Sequence, residues 1–314
     1  MQATVVITTK NRREDLLKAV ASVLFQTARP EVLVIDDGSI DGTSEAVARE
    51  FPSVRLHRSE QSLGYIPQRN RGAEMARNPI VFSIDDDAVF SSPLVVEQTL
   101  REFENLQIGA VAIPFIDVNR SSAVMQKAPR ADSIFAAYSF IGTAHALRRE
   151  VFLRLGGYRD ALVHQGEEED YSIRMLNGGW ITRCGNADPI HHFESPRRSW
   201  WRMDYYGPRN KILFAWQNVP WPHFAAHASA STALMAGHTF VPSRLLTRLQ
   251  GIAAAYRLMC TGKIPRDPVR PETYRLAREL KKRGAVALDE IAGRLSAAPA
   301  PVIKNDHCVA TTVS

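Results

Sequence analysis

A chain of 314 residues with 45% apolar and 23% charged side chains can bury one large α/β core and an appendage; this composition excludes a disordered chain and a multi-span membrane protein. Its 39 basic against 33 acidic residues leave a charge of +6, a modest excess that suits anionic ligands without choosing among nucleotides, nucleic acid and lipid. The three cysteines, Cys184, Cys260 and Cys308, are too few and too scattered for a disulfide framework or a paired-cysteine zinc site, which fits a reducing compartment.

Ala3 to Ile7 is apolar but is followed at once by Lys10, Arg12 and Arg13, the reverse of the order in a signal peptide, so a cytoplasmic protein is expected. Up to residue 115, short β-branched runs alternate with segments of helical period. The strand candidates are Thr4 to Thr8, Val32 to Ile35, Val54 to His57, Ile80 to Ile84 and Ala110 to Phe115. This alternation predicts an α/β fold, a mostly parallel sheet flanked by helices. Asn11 three residues before Glu14 reads as a capping box, and Pro67 and Pro93 read as first-turn prolines.

Ligands of open parallel sheets bind beyond the carboxyl ends of the strands, and the polar clusters stand there. Strand one runs into Thr8-Thr9-Lys10-Asn11-Arg12, strand two into Asp36-Asp37-Gly38-Ser39, and strand four into Asp85-Asp86-Asp87. Three adjacent carboxylates repel one another unless a cation intervenes; Mg²⁺ or Mn²⁺ would complete its shell with diphosphate oxygens and water, the alternative being a helix-capping loop. Asp36 and Asp37 either face the donors of a nucleotide base or ribose, or only shape a turn. Between these loops, Arg69 and Arg71 open a helix and read as phosphate forks or as a solvated basic face.

Beyond residue 116 the pattern loosens, and from Arg209 to Leu295 it is mainly helical. Glu167-Glu168-Glu169-Asp170 opens a helix that Asn177-Gly178-Gly179 ends, with Glu167, Asp170 and Arg174 on one face. Such acids complement the helix dipole, and they also offer a general base. The pair His191-His192 follows. Trp200, Trp201, Tyr205 and Tyr206 then interleave with Arg202, Arg209 and Lys211, which suits sugar rings and diphosphates, single-stranded nucleic acid, or a packed helix. The end, 296–314, lacks periodicity and is expected to be a disordered tail.

Four segments in order resemble the inverting glycosyltransferases of family 2, which have the GT-A fold, a Rossmann-like sheet. They are Val5 to Arg12, the run Asp36-Asp37-Gly38-Ser39-Ile40-Asp41-Gly42-Thr43, Arg69-Asn70-Arg71-Gly72, and the Asp-x-Asp of Asp85 and Asp87. Gly142 to Arg149, with Val151-Phe152 and Gly156-Gly157-Tyr158, is similar to the family's acceptor-side segment. The resemblance implies a catalytic domain over 1–220, divided into a nucleotide-sugar half (1–115) and an acceptor half (116–220), with a helical C-terminal region over 221–295. It implies that Asp37 contacts the base, that Thr8 or Thr9 lines the nucleotide pocket, and that Arg69 lies near the donor diphosphate and sugar. Asp85 is then near the ribose or donor sugar, Asp87 ligates Mn²⁺ or Mg²⁺, and a histidine supplements the metal site, with His191 favoured over His192. Aligned through Asp170 and Arg174, Glu168 takes the position of the family's catalytic Asp, and Asp170 is the alternative base.

The implied activity is metal-dependent, inverting transfer of a sugar from a nucleotide diphosphate donor to a hydroxyl of a glycan or lipid-linked acceptor, in polysaccharide biosynthesis. The alternative is a catalytically silent nucleotide-sugar-binding subunit, which would be expected to have lost one of the two acid clusters. No nucleic acid is expected as partner, since acids at the sheet mouth repel phosphates. Residues 242 to 283 hold eleven Lys or Arg against three Asp or Glu, with Leu245, Leu249, Ile252, Tyr256 and Met259 at helical spacing. They either rest on the inner face of an anionic membrane or pack on the catalytic domain.

Overall fold

The computed structural model describes residues 1–194, 199–237 and 241–296. The expected tail beyond Ser296 lies outside it, as does the 195–198 end of the histidine segment. In chain order the first half is β1 (Ala3–Thr9), α1 (Arg13–Leu24), β2 (Glu31–Asp36), α2 (Thr43–Glu50), β3 (Arg55–Arg58), α3 (Tyr65–Met75), β4 (Ile80–Asp85), β5 (Ala88–Phe90), α4 (Val95–Arg101) and β6 (Ile108–Ala112). There follow β7 (Phe115–Asp117), β8 (Val124–Met125), β9 (Phe135–Ala137), β10 (Ala144–Arg148), α5 (Arg149–Arg154), α6 (Glu167–Asn177), β11 (Ile181–Cys184) and β12 (Ile190–His192). The remainder is α7 (Trp200–Asn218), α8 (His223–Ala236), α9 (Pro242–Cys260), α10 (Pro271–Arg283), β13 (Ala285–Ala287) and α11 (Leu288–Ile291).

A nine-stranded sheet in the order β13-β9-β11-β6-β10-β4-β1-β2-β3 forms the centre. β3, β2, β1 and β4 are mutually parallel, and only β10 and β9 run against the prevailing direction. β1, β2 and β4 are largely apolar and buried because helices cover both faces, while β3 is a partly exposed edge strand. Val5 and Ile7 join the cluster of Leu16, Val20 and Val23 from α1, while Val6, pointing the other way, packs with Leu33, Ile35 and Met75. A Cβ at Gly72 would stand 2.4 Å from Val6 Cγ1, so α3 lies on β1 at a separation that only glycine permits.

Three sequence expectations need correction. The fifth strand candidate is two strands: Pro114, which has no N–H for a ladder, separates β6 in the main sheet from β7 in a second sheet ordered β5-β12-β7-β8. Asn11 does not cap α1. It takes a positive φ of 53°, its N–H donates to Ser39 Oγ at 2.9 Å, and its Oδ1 accepts from Ile40 N at 2.8 Å, so it ties the first two polar loops together. The C-terminal region is not a purely helical appendage. β13 pairs antiparallel with β9 and extends the central sheet, and Arg270, entering α10, bonds Asn177 at the end of α6.

Candidate active site

The acidic triplet follows β4 and turns at once into β5. β12 pairs antiparallel with β5, setting His192 opposite Ala88 and His191 opposite Val89, and Phe193 N donates to Asp87 O at 2.8 Å. Side chains alternate along a strand, so one histidine of the pair faces the triplet and its neighbour faces away. It is His192 that turns inward: its Nε2 lies 3.4 Å from Asp87 Oδ1, and His191, favoured in the sequence reading, is not among the gathered ligands. Asp85, Asp87 and His192 each present one ligand atom within 4.8 Å of the others. The set of two hard carboxylates and one imidazole fits Mn²⁺ or Mg²⁺.

The charges around the triplet are arranged asymmetrically. Arg12 reaches both later acids, with Nη1 3.2 Å from Asp86 Oδ1 and Nη2 3.0 Å from Asp87 Oδ2. Burial pushes the Asp86 carboxyl up to about 7, against the pull of Arg12 and the Thr9 hydroxyl, whose Oγ1 donates to it at 2.7 Å. Burial also raises Asp87, but its hydrogen bond to His192 and the Arg12 guanidinium prevail and hold it below the usual carboxylate range. Asp86 thus braces β1 through Thr9, and Asp87 stays ionised beside His192. Thr9 is committed to Asp86, while the half-buried Thr8 stands in register with Asp85 across the β1–β4 pair.

Asp85 belongs to a second network that runs toward the acid cluster of α6. Its Oδ1 accepts from Arg69 Nη2 at 2.6 Å and its Oδ2 from Thr143 Oγ1 at 2.7 Å. Arg69, buried from α3, also donates to Glu167 Oε1 at 3.2 Å and to the Gly142 carbonyl at 3.2 Å. Desolvation would weaken its charge, but Asp85 and Glu167 hold it firmly protonated. The Gly142 carbonyl also faces His145 Nδ1 at 3.1 Å, and the Gly142 amide donates to Glu168 Oε1 at 3.2 Å. A Cβ at Gly142 would stand 2.7 Å from Glu168 Oε1 and 2.8 Å from Arg69 Nη1, so this crossing requires glycine.

The four acids that open α6 differ in what surrounds them. Glu167 is buried, bonded by Tyr65 Oη at 3.2 Å and by Arg69. Glu169 faces Lys211 at 2.6 Å and Lys281 at 3.1 Å. Asp170, fully buried, accepts from Arg159 at 2.6 Å, Asn218 at 2.8 Å and Arg174 at 3.0 Å, which ties α6 to α7 and leaves it poorly placed to reach a substrate. Glu168 alone of the four has no cationic partner among the described residues and lines a cavity of about 770 Å³. Desolvation, with Glu169 and Asp85 adding, raises its carboxyl despite the nearby Arg69. The cavity is walled by Tyr138, Phe140 and Phe214, with Leu280 and Ala285 from the C-terminal segment completing it.

On the nucleotide side, Asp37 has four donors: Ser62 Oγ at 2.6 Å, Leu63 N at 2.7 Å, Gly64 N at 3.0 Å and Gln68 Nε2 at 2.6 Å. These hydrogen bonds hold its carboxylate below the usual range although burial opposes them. In this structure Asp37 therefore shapes the 62–64 loop at the edge of the cleft. From the sequence, His192 ranked second to His191, Glu167 was named only among the acids that open α6, and Arg12, Gly142 and Thr143 were not singled out. Arg12 and Gly142 stood inside quoted motifs, whereas the Thr143–Asp85 contact, 58 positions apart, had no local signal.

The family model described as glycosyl transferase family 2 matches residues 4–159. The N-acetylglucosaminyl-diphospho-decaprenol L-rhamnosyltransferase of Mycobacterium tuberculosis is 25% identical over 230 residues, covering 60% of this chain and 75% of that protein. The succinoglycan biosynthesis protein ExoU of Rhizobium meliloti is 35% identical over 208 residues, 58% of this chain and 60% of that protein. Among solved structures, the mannosyltransferase PcManGT from Pyrobaculum calidifontis, in complex with GDP-Man and Mn²⁺, superposes with a TM-score of 0.55 at 19% identity, covering 90% of this chain and 83% of that one. Staphylococcus aureus TarS gives a TM-score of 0.60 at 14% identity, over 90% of this chain and 53% of that one. At these identities the structural likeness speaks for the fold.

Proposed function

Because this chain belongs to glycosyl transferase family 2 and is a glycosyltransferase of GT-A fold, we propose that it moves a sugar from a nucleotide diphosphate donor to an acceptor hydroxyl in a single, inverting displacement that requires a divalent metal. The observation that carries this reading is the Arg69–Gly142 bridge. It joins a cluster of metal-ligand type, Asp85, Asp87 and His192, to Glu168, a raised carboxylate at the wall of a cavity.

The donor lies at the carboxyl ends of β1, β2 and β4, its base against the loop that Asp37 organises and its diphosphate toward Asp85, Asp87 and His192. Asp85, Asp87 and His192 would hold Mn²⁺ or Mg²⁺, which would supply Lewis-acid stabilisation of the leaving diphosphate. Arg12 and Arg69 add fixed positive charge beside the same phosphates. The acceptor enters the cavity and presents its hydroxyl to Glu168. As the acceptor oxygen bonds to the anomeric carbon opposite the departing nucleoside diphosphate, Glu168 takes the hydroxyl proton, and the configuration inverts. Its raised pKa brings the base toward working pH, and the Gly142 amide orients the carboxylate.

The acceptor class that best suits the cavity is a glycan or lipid-linked sugar, because aromatic walls stack on sugar faces and the lysines at Glu169 provide polar contacts. A panel of nucleotide sugars incubated with the protein and Mn²⁺, Mg²⁺ or chelator tests the reading. Release of nucleoside diphosphate that needs metal is expected, and turnover indifferent to chelator would refute it.

A further inference from the structure

We propose that the outer face of α8 and α9, together with a cationic pocket beside it, docks on the surface of an anionic lipid bilayer. This goes beyond the transfer reaction and stands on separate residues. A solvated helix ordinarily carries charge on its outer face. α8 carries no formally charged side chain over its 14 residues, yet Ala228 is its only buried residue. α9 presents Leu246, Leu249 and Tyr256 outward at helical spacing, 59%, 44% and 37% exposed. These three are not core. The adjoining flank of α9, at Ile252 and Ala255, packs in one cluster with Ile212 and Leu213 of α7.

α7 and α9 also enclose a pocket of about 390 Å³ lined by Arg209, Arg257 and Lys263; Arg209 is buried and bonded to the Ala161 and Leu162 carbonyls, while Arg257 and Lys263 are exposed. Among the described residues none of the three has a carboxylate at ion-pair distance. Across α7, α8 and α9 the sequence holds six Lys or Arg against one carboxylate, Asp204, and that one is buried between Arg244 and Arg248. An apolar face with the exposed cations Arg257 and Lys263 near it suits acyl chains below and phosphate headgroups above. A second copy of the chain would bring like charges together. Among the described residues no helix is long and apolar enough to cross a membrane.

Sedimentation with vesicles decides it. The full chain is expected to pellet with phosphatidylcholine vesicles containing phosphatidylglycerol at about 0.05 M salt, where screening is weak, and to be released as salt rises. It should not pellet with phosphatidylcholine alone. L246E/L249E, and separately R257E/K263E, should each weaken binding by roughly tenfold or more. Circular dichroism and donor turnover without vesicles should be unchanged in both, because all four positions are outside the catalytic site. No binding to anionic vesicles, or equal binding by L246E/L249E, overturns the proposal. So does a dimer in sedimentation velocity that L246E/L249E disperses, since the face would then belong to a second copy.

Discussion

Arg69→Met should expose the electrostatic logic of the site. Methionine keeps most of the volume but removes the guanidinium that lies 2.6 Å from Asp85 and 3.2 Å from Glu167, with only 6% of its side chain exposed. Breaking a buried ion pair from one side leaves an uncompensated charge and costs about 3–5 kcal/mol. Glu167 bears most of it, because Asp85 is 31% exposed and keeps its Thr143 hydrogen bond. The Glu167 carboxyl already lies above its ordinary value, through burial first and Glu168 second, and without Arg69 it rises further. A carboxyl raised in the folded state holds its proton more tightly there than in the unfolded chain. The unfolded chain is common to both proteins, so the Glu167 part of the variant's deficit is full above the variant's own raised folded value and shrinks as pH falls to the wild-type value of about 8. Each carboxylate that takes up a proton recovers at most about 1.4 kcal/mol per pH unit. Urea unfolding of both proteins at about pH 9.5 and about pH 7 measures this; a deficit under about 1 kcal/mol at the higher pH, or one that does not shrink at the lower, would refute the assignment of Arg69 as the counter-charge.

Glu168→Gln should lower turnover by roughly two to four orders of magnitude while leaving donor binding and melting temperature intact. The wild-type rate should rise with pH along a limb above the usual carboxylate range, as Glu168 loses its proton, and the glutamine variant should lack that limb. Asp170→Asn should instead cost about 3–5 kcal/mol in urea unfolding, because Arg159 and Arg174 lose their buried partner; a stable, inactive Asp170→Asn would return the base to that residue. His192→Ala should weaken Mn²⁺ binding, measured by calorimetry, by at least roughly tenfold, and His191→Ala should leave it unchanged; the reverse pattern would restore His191. Gly72→Ala should destabilise by about 1–3 kcal/mol, since the new Cβ meets Val6, and an unchanged melting temperature would contradict the close packing of α3 on β1.

What could be read ahead of the structure follows local pattern. β1, β2 and β4 announce themselves as apolar runs ending in polar clusters, and the ends of those strands are where the site gathers. Features set by pairing between distant segments were not legible. Which of two adjacent histidines turns inward depends on the β12–β5 register, and nothing in the pair itself fixes that register. Glu168 and Asp170 look equivalent on a helix that opens with four acids. They separate only when Arg159, Asn218 and Arg174 converge on Asp170 and a cavity opens at Glu168. Asp37 was readable as part of the nucleotide edge, but its four donors lie 25 or more positions away. The edge strand β13 is three residues long and follows a strongly amphipathic helix, too short to show alternation.

The central claim is a single displacement with Glu168 as base, and the anomeric configuration of the first-formed product tests it most directly. With a donor found in the nucleotide-sugar panel, proton NMR of the sugar released or transferred in the first minutes, before mutarotation, should show the anomer opposite to that of the donor. Glu168→Gln should slow its appearance without changing its configuration. A product that keeps the donor's configuration would contradict the account, because it would require a covalent intermediate or front-side attack in place of the base at Glu168.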